Sequence, residues 1–312
     1  MKKTHINSSG FLERDGHSIS WEDWGNPVAT PILYFHGGPR GGCGDYDKLL
    51  FDPEKQRVIF HDQRGSGKST PFASTENNTT QDLVKDAKGI LDVLGVDKVL
   101  VTGNSWGSAL SLFYAIAYPE TVEKILIRGV FLARQFEVDF VNDGRLQCFF
   151  PAEWKRFISL VPIEHRNSGD EVMKYYAGKI GSADKEEAQK YADEWTLWEA
   201  TLCSINYDPE KLEKAIIGDK SNVALAVLET HYFLNKCFVP ENYILDNINK
   251  IRHIPFLVIQ GRFDMCTPPI SSYDLSRAYG DKLTLQWVNE GHWSGSKEAE
   301  MRLVKSLGQF LV

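Results

Sequence analysis

The sequence predicts an α/β fold with a mostly parallel central sheet and an inserted helical cap. Three observations predict it. Several runs are apolar along their whole length, among them PILYF, VLV in KVLVTGN and FLVI in IPFLVIQGRFD. Such runs suit strands covered on both faces rather than strands with one wet face. Segments with helical spacing lie between them, so strand and helix alternate as crossover connections require. That alternation breaks near Arg134 and resumes near Lys250.

The elements follow in chain order. FLERDGHSISWEDWG carries an Asp15-Gly16 turn between alternating segments, a hairpin signal. PILYFHGG is an apolar strand that ends in glycines, and QRVIFHDQRGSGKS is a strand that enters a Gly/Ser loop. TTQDLVKDAKGILDVLGV has helical periodicity, with Thr80 or Asp82 as the start and Gly95 as the stop. KVLVTGN is a strand, SWGSALSLFYAIAYPE a helix ended by Pro119, and VEKILIRGVFL another strand. From about Arg134 to Asn249 the chain reads as helical and is rich in Trp, Tyr and charge. IPFLVIQGRFD, SSYDLSRAYG, LTLQWVNEGH and SKEAEMRLVKSLGQFLV then read as strand, helix, strand and helix. The expected division is core over 1–133, cap over 134–249 and core again over 250–312. The insertion follows the carboxyl end of a strand, where open α/β sheets place their sites, so it is expected to act as a lid.

Bulk properties narrow the function. The 312 residues are enough to bury a core without staples. A net charge of −7 argues against nucleic acid or an anionic membrane as main partner. The five cysteines are odd in number, scattered and without a CxxC pair, which suits reduced thiols in the cytoplasm. The first 21 residues lack an apolar stretch of signal-peptide type, and no run reaches the length of a membrane span.

The chemistry starts at Gly103-Asn104-Ser105-Trp106-Gly107, a G-x-S-x-G pattern between a strand and a helix. In that context the serine is a nucleophile on a sharp elbow rather than a turn residue. A serine needs a base, a group to orient the base, and donors for the oxyanion. Asp264 falls just past one later strand and His292 just past the next, in the order acid then histidine. Ser105, Asp264 and His292 are therefore the candidate triad, with Glu290 and Asp281 as weaker rivals for the acid. HGGPRGG after PILYF supplies flexible backbone, and Gly38 N–H with Trp106 N–H are the expected oxyanion donors. GSGKS at Gly65–Ser69 lacks phosphate-loop spacing, no His/Cys cluster has metal spacing, and no cofactor is expected.

Segments across nearly the whole chain match a known family. HGGPRGG, DQRGSGKSTP, GNSWGSAL, RGVFLARQ, FFPAEW, WTLWE, VLETHYF and GRFDMCTPP resemble the prolyl aminopeptidase (proline iminopeptidase) family of α/β-hydrolases. That resemblance implies an α/β-hydrolase fold and a metal-free serine peptidase that removes an N-terminal residue, usually proline, from short peptides. It also implies that two cap glutamates hold the substrate's free α-amine; they fall on Glu199 in WTLWE and Glu229 in VLETHYF. A protonated amine leaving water needs such opposite charge. Arg134 in FLARQ resembles the family arginine near those glutamates, where it would keep both ionised. Phe131, Tyr232 and Trp195 suit apolar walls for a pyrrolidine ring and suit the core equally well.

The chain departs from the family pattern at three positions. Arg40 and Asn104 stand where glycine is usual, and Trp293 follows the histidine where a smaller residue is usual. Asn104 still tolerates strained backbone. Two other readings use the same residues. A small-molecule esterase or amidase would keep the triad and need no α-amine. A non-catalytic receptor would have no use for an ordered triad. An aspartate nucleophile, as in epoxide hydrolases of this fold, is excluded by serine at position 105.

Overall fold

The computed structural model describes residues 5–38, 41–292 and 297–311, with backbone alone over 297–303. Its strands are β1 (Ile6–Arg14), β2 (His17–Gly25), β3 (Pro31–Phe35), β4 (Arg57–His61), β5 (Val99–Ser105), β6 (Val122–Val130), β7 (Phe256–Gly261) and β8 (Leu283–Val288). They form one sheet in the order β1-β2-β4-β3-β5-β6-β7-β8. The β1–β2 and β2–β4 pairs are antiparallel, and every later pair is parallel. The hairpin turns at Asp15 and Gly16, both at positive φ (52° and 82°). Two positive φ values match the twist of the flanking strands.

Side chains alternate across the central strands and build two cores. Leu33, Phe35, Ile59, Val101, Ile127 and Val258 belong to one, Ile32, Val58, Phe60, Leu100, Leu126 and Leu257 to the other. The period of two sends neighbours to opposite faces, and apolar residues on both faces demand helices on both. The helices of the first half are α1 (Asp45–Lys48), α2 (Thr80–Leu94) and α3 (Trp106–Ala117). α2 and α3 pack the first core, and Leu307 and Leu311 close the second. α2 starts at Thr80, one of the two expected starts, with Thr79 as its cap in a box with Asp82, and Gly95 ends it at φ 64°. α3 stops before Tyr118 because a residue preceding proline disfavours helical angles. The four residues of α1 are too few to carry a period, so no sequence signal marks them.

Between β6 and β7 the described residues hold no strand. They form α4 (Gln135–Asn142), α5 (Pro151–Ser159), α6 (Gly169–Ile180), α7 (Lys185–Cys203), α8 (Pro209–Ile216), α9 (Ser221–Leu234) and α10 (Tyr243–Asp246), with short 3-10 turns. Helices α11 (Pro269–Tyr279) and α12 (Lys297–Phe310) complete the chain. Aromatic rings glue the insertion together: Phe157 stacks on Tyr176 at 4.4 Å and on Trp198 at 5.7 Å. Tyr232 on α9 donates to Asn78 Oδ1, and Thr80 Oγ1 donates to Cys237 O at 2.6 Å, so the insertion is tied to the start of α2. No helix among the described residues is long and apolar enough to cross a membrane.

Candidate active site

The serine stands where β5 meets α3. Ser105 has φ 57°, an uncommon angle for a side-chain-bearing residue, and its position caps α3. The turn is tight because neighbouring backbone is close. A Cβ on Gly103 would lie 2.3 Å from Gly107 O, and one on Gly107 would lie 2.1 Å from Phe35 O. Both positions of the motif are therefore glycine for want of space. Trp106 begins the helix, so its N–H belongs to the unpaired first turn, where the dipole favours negative charge.

The acid and the histidine come from the carboxyl ends of β7 and β8. His292 Nδ1 lies 2.8 Å from Asp264 Oδ2, and both side chains are buried. Asp264 Oδ1 accepts the N–H groups of Cys266 (3.0 Å) and Thr267 (2.7 Å). Its Oδ2 also accepts from Thr267 Oγ1 at 2.8 Å and Gln260 Nε2 at 3.1 Å. Burial pushes this carboxyl's pKa up, but the His292 charge and the bonds from His292 and Thr267 outweigh it and hold Asp264 below its ordinary value. An ionised Asp264 accepts a hydrogen bond from Nδ1–H, which orients the ring and leaves Nε2 of the neutral imidazole with its lone pair. Ser105 and His292 line the same cavity.

The glycine loop after β3 is locked by two residues the sequence did not single out. His36 Nε2 accepts Gln63 N–H at 3.1 Å, which puts the ring proton on Nδ1, 2.9 Å from Gly37 O. Gln63 Nε2 donates back to His36 O at 2.9 Å, and its Oε1 accepts from Trp106 Nε1 at 2.9 Å. Gly38 itself sits at φ 102°, which a larger residue would resist. One network thus fixes the loop and the residue after the serine together.

A second cavity wall is aromatic. Trp106, Phe131, Trp195, Trp198 and Phe233 line a pocket that also borders Gly38 and Ser105, and Glu199 and Glu229 lie in its wall. Glu229 is buried, and its Oε2 accepts the Trp195 indole N–H at 2.7 Å. That bond gives one oxygen of the buried carboxyl group a donor. Trp195 is therefore a polar partner as well as a wall. Tyr232 lies behind the pocket, its ring 4.5 Å from that of Trp106. Asp264, Cys266 and His292 have ligating atoms within 4.8 Å of one another, as a metal would need. Sequence spacing hid this group because its members come from two loops, and two of them are already bonded to each other. Burial pushes the Cys266 thiol well up, as does neighbouring Cys203, so it stays neutral and a poor rival nucleophile.

Residues 30–299 match the family model described as the alpha/beta hydrolase fold. A proline iminopeptidase of Arabidopsis thaliana is 38% identical over 299 residues, covering 95% of this chain and 78% of the relative. A proline iminopeptidase of Neisseria gonorrhoeae is 37% identical over 306 residues, covering 97% and 96%. The chain belongs to the proline iminopeptidase family of α/β hydrolases. Among solved structures, an esterase from Exiguobacterium antarcticum superposes with a TM-score of 0.68 at 17% identity, over 97% of this chain and 99% of that one. That likeness shows the fold alone.

Membership of the proline iminopeptidase family sharpens what departs from expectation. Arg134, expected beside Glu199 and Glu229, has its guanidinium engaged elsewhere. Nη1 donates to Asp274 at 2.9 Å, Nη2 to Ser271 at 3.2 Å, and Nε lies 3.8 Å from Glu137. Only part of the reason is local, in that Arg134 caps α4 and Glu137 is the third residue of that helix; both guanidinium hydrogen bonds go to α11. Arg134 thus anchors the start of the insertion to α11. The Tyr34 hydroxyl donates to Asp47 at 2.5 Å and lies 3.2 Å from the Asn104 side-chain amide. The substituted elbow position therefore ties into the floor beneath the site. Arg40 and Trp293 lie outside the described residues.

Proposed function

We propose that this protein is a serine aminopeptidase that releases an N-terminal residue, preferably proline, from short peptides through an acyl-enzyme. The observation that carries this reading is the pair Glu199 and Glu229 in an aromatic pocket that borders Ser105. A peptide's N-terminal ammonium is the cation that lies on the residue whose carbonyl Ser105 would attack. The names of the relatives agree with it.

In this reading His292 Nε2 takes the Ser105 proton as Oγ attacks the carbonyl carbon. The N–H groups of Gly38 and Trp106 receive the oxyanion, and the helix end of α3 adds its dipole. Asp264 stabilises the imidazolium without taking its proton. Collapse breaks the C–N bond, and His292 gives the proton to the departing nitrogen. Water, deprotonated by His292, then frees the first residue. Neither step needs a metal or cofactor. We place this work in the cytoplasm, where the free thiols would stay reduced.

The test uses proline β-naphthylamide, its N-acetyl form and p-nitrophenyl acetate, with Ser105→Ala as the blank. Serine-dependent release from the free amine alone is expected. Ester cleavage with no turnover of either proline compound would replace the aminopeptidase by the small-molecule esterase.

A further inference from the structure

Ser105 opens onto two cavities, and α7 runs between them. Gly38, Ser105 and Glu199 line both. Trp195 and Trp198 of α7 face the first, whereas Thr196, Ala200 and Cys203 face the second. Positions 196, 199, 200 and 203 follow the spacing of one helix face, and Glu199 stands at its border. The first cavity is small, about 60 Å³, and the second is about 560 Å³. His292 lines the second and is not among the lining residues of the first.

The position of His292 assigns the two sides. The departing nitrogen must receive its proton from His292, so it lies on the side that His292 faces. The ammonium lies on the other side, with Glu229. We infer that the larger cavity is the seat of the second residue of the peptide, the part that leaves, an inference that rests on the proposed aminopeptidase function. Its volume lies in the range of about 300–1,000 Å³ typical of ligand sites, so it takes a large side chain where the first cavity takes a small ring. Leu50 and Leu225 supply apolar patches for a bulky second residue on a wall that also carries Asp47 and Arg128.

A polar group in this cavity lacks a partner. Thr196 is 1% exposed, and its Oγ1 has no hydrogen-bond partner among the described residues. Thr201 on the same helix instead satisfies its hydroxyl on Leu197 O at 2.8 Å. A buried hydroxyl without a partner costs stability, and a ligand that supplies one recovers it. The carbonyl or carboxylate oxygen of the second residue is such an acceptor, with Thr196 as the donor.

The experiment compares kcat/KM for Pro-Phe and for prolinamide, whose leaving group is ammonia and reaches no second seat. Wild type, Leu50→Trp and Thr196→Val are measured with both substrates. The ratio of Pro-Phe to prolinamide should fall at least about tenfold in Leu50→Trp, which fills the cavity from its half-buried rim, as displaced apolar contact predicts. Thr196→Val should lower the same ratio about fivefold or more, mainly through KM, for one lost hydrogen bond. The ratio is internal to each variant, so partial unfolding cannot mimic the effect. Unchanged ratios in both variants, with wild type active on both substrates, would overturn the second seat and leave the aminopeptidase standing. A wild type inactive on both would overturn the two together.

Discussion

His292 presents one nitrogen to Asp264 and in the proposed reaction uses the other, a division that rests on the charge of Asp264. Asp264→Asn should lower kcat about 10⁴-fold by favouring the wrong tautomer, with KM little changed. Asp264 also bears on stability. Its folded pKa lies below the ordinary value, so it stabilises the fold above about pH 4 and loses that contribution as pH falls through the folded value. Thermal melts across pH 2–6 should therefore show a steeper acid limb for wild type than for Asp264→Asn. Ser105→Ala should cost on the order of 10⁶-fold in kcat while the protein stays folded. Glu229→Gln keeps the shape and removes the charge of the group that Trp195 bonds. Its kcat/KM for a prolyl substrate should fall about 10- to 100-fold, the cost of a lost charge-assisted bond to the ammonium.

At the scale of elements, the elbow is a packing solution more than a flexible turn. Gly107→Ala drives a methyl into Phe35 O and should destabilise the fold by about 3 kcal/mol or more, measured by urea unfolding. Thr79→Ala removes the α2 cap and should cost only about 1 kcal/mol. These elements were legible because they are local. Apolar runs marked the parallel strands, Gly95 and Pro119 marked helix ends, and the motif order Ser105, Asp264, His292 marked three loops at one sheet edge. What was hidden depends on partners distant in sequence. Nothing local to Arg134 says that Asp274, 140 residues on, will hold it. Trp195 looked apolar because its N–H partner, Glu229, lies on another helix. His36 and Gln63 were passed over because their link is a tertiary one between two loops. The two faces of α7 differ only in which cavity they meet.

The whole molecule sets a charged pocket above a serine that the sheet holds still. The carboxyl ends of β5, β8 and β7 carry Ser105, His292 and Asp264, proposed as nucleophile, base and acid, and the helical insertion carries Glu199 and Glu229, proposed to hold the amine. In the proposed function chemistry and selection sit on separate parts of the chain, and the ties between those parts include Arg134 with Asp274, Tyr232 with Asn78, and Thr80 with Cys237, beside one continuous apolar core. The central claim is that selection means reading a free α-amine. The direct measurement is kcat/KM for the β-naphthylamides of proline and of cyclopentanecarboxylic acid, which share ring size and differ in the amine. Wild type and Glu199→Gln/Glu229→Gln are compared. The account predicts a preference for proline of at least about 10³-fold in wild type, the worth of two charged contacts, and a preference cut at least about tenfold in the double variant. Equal turnover of the two compounds by wild type would contradict it.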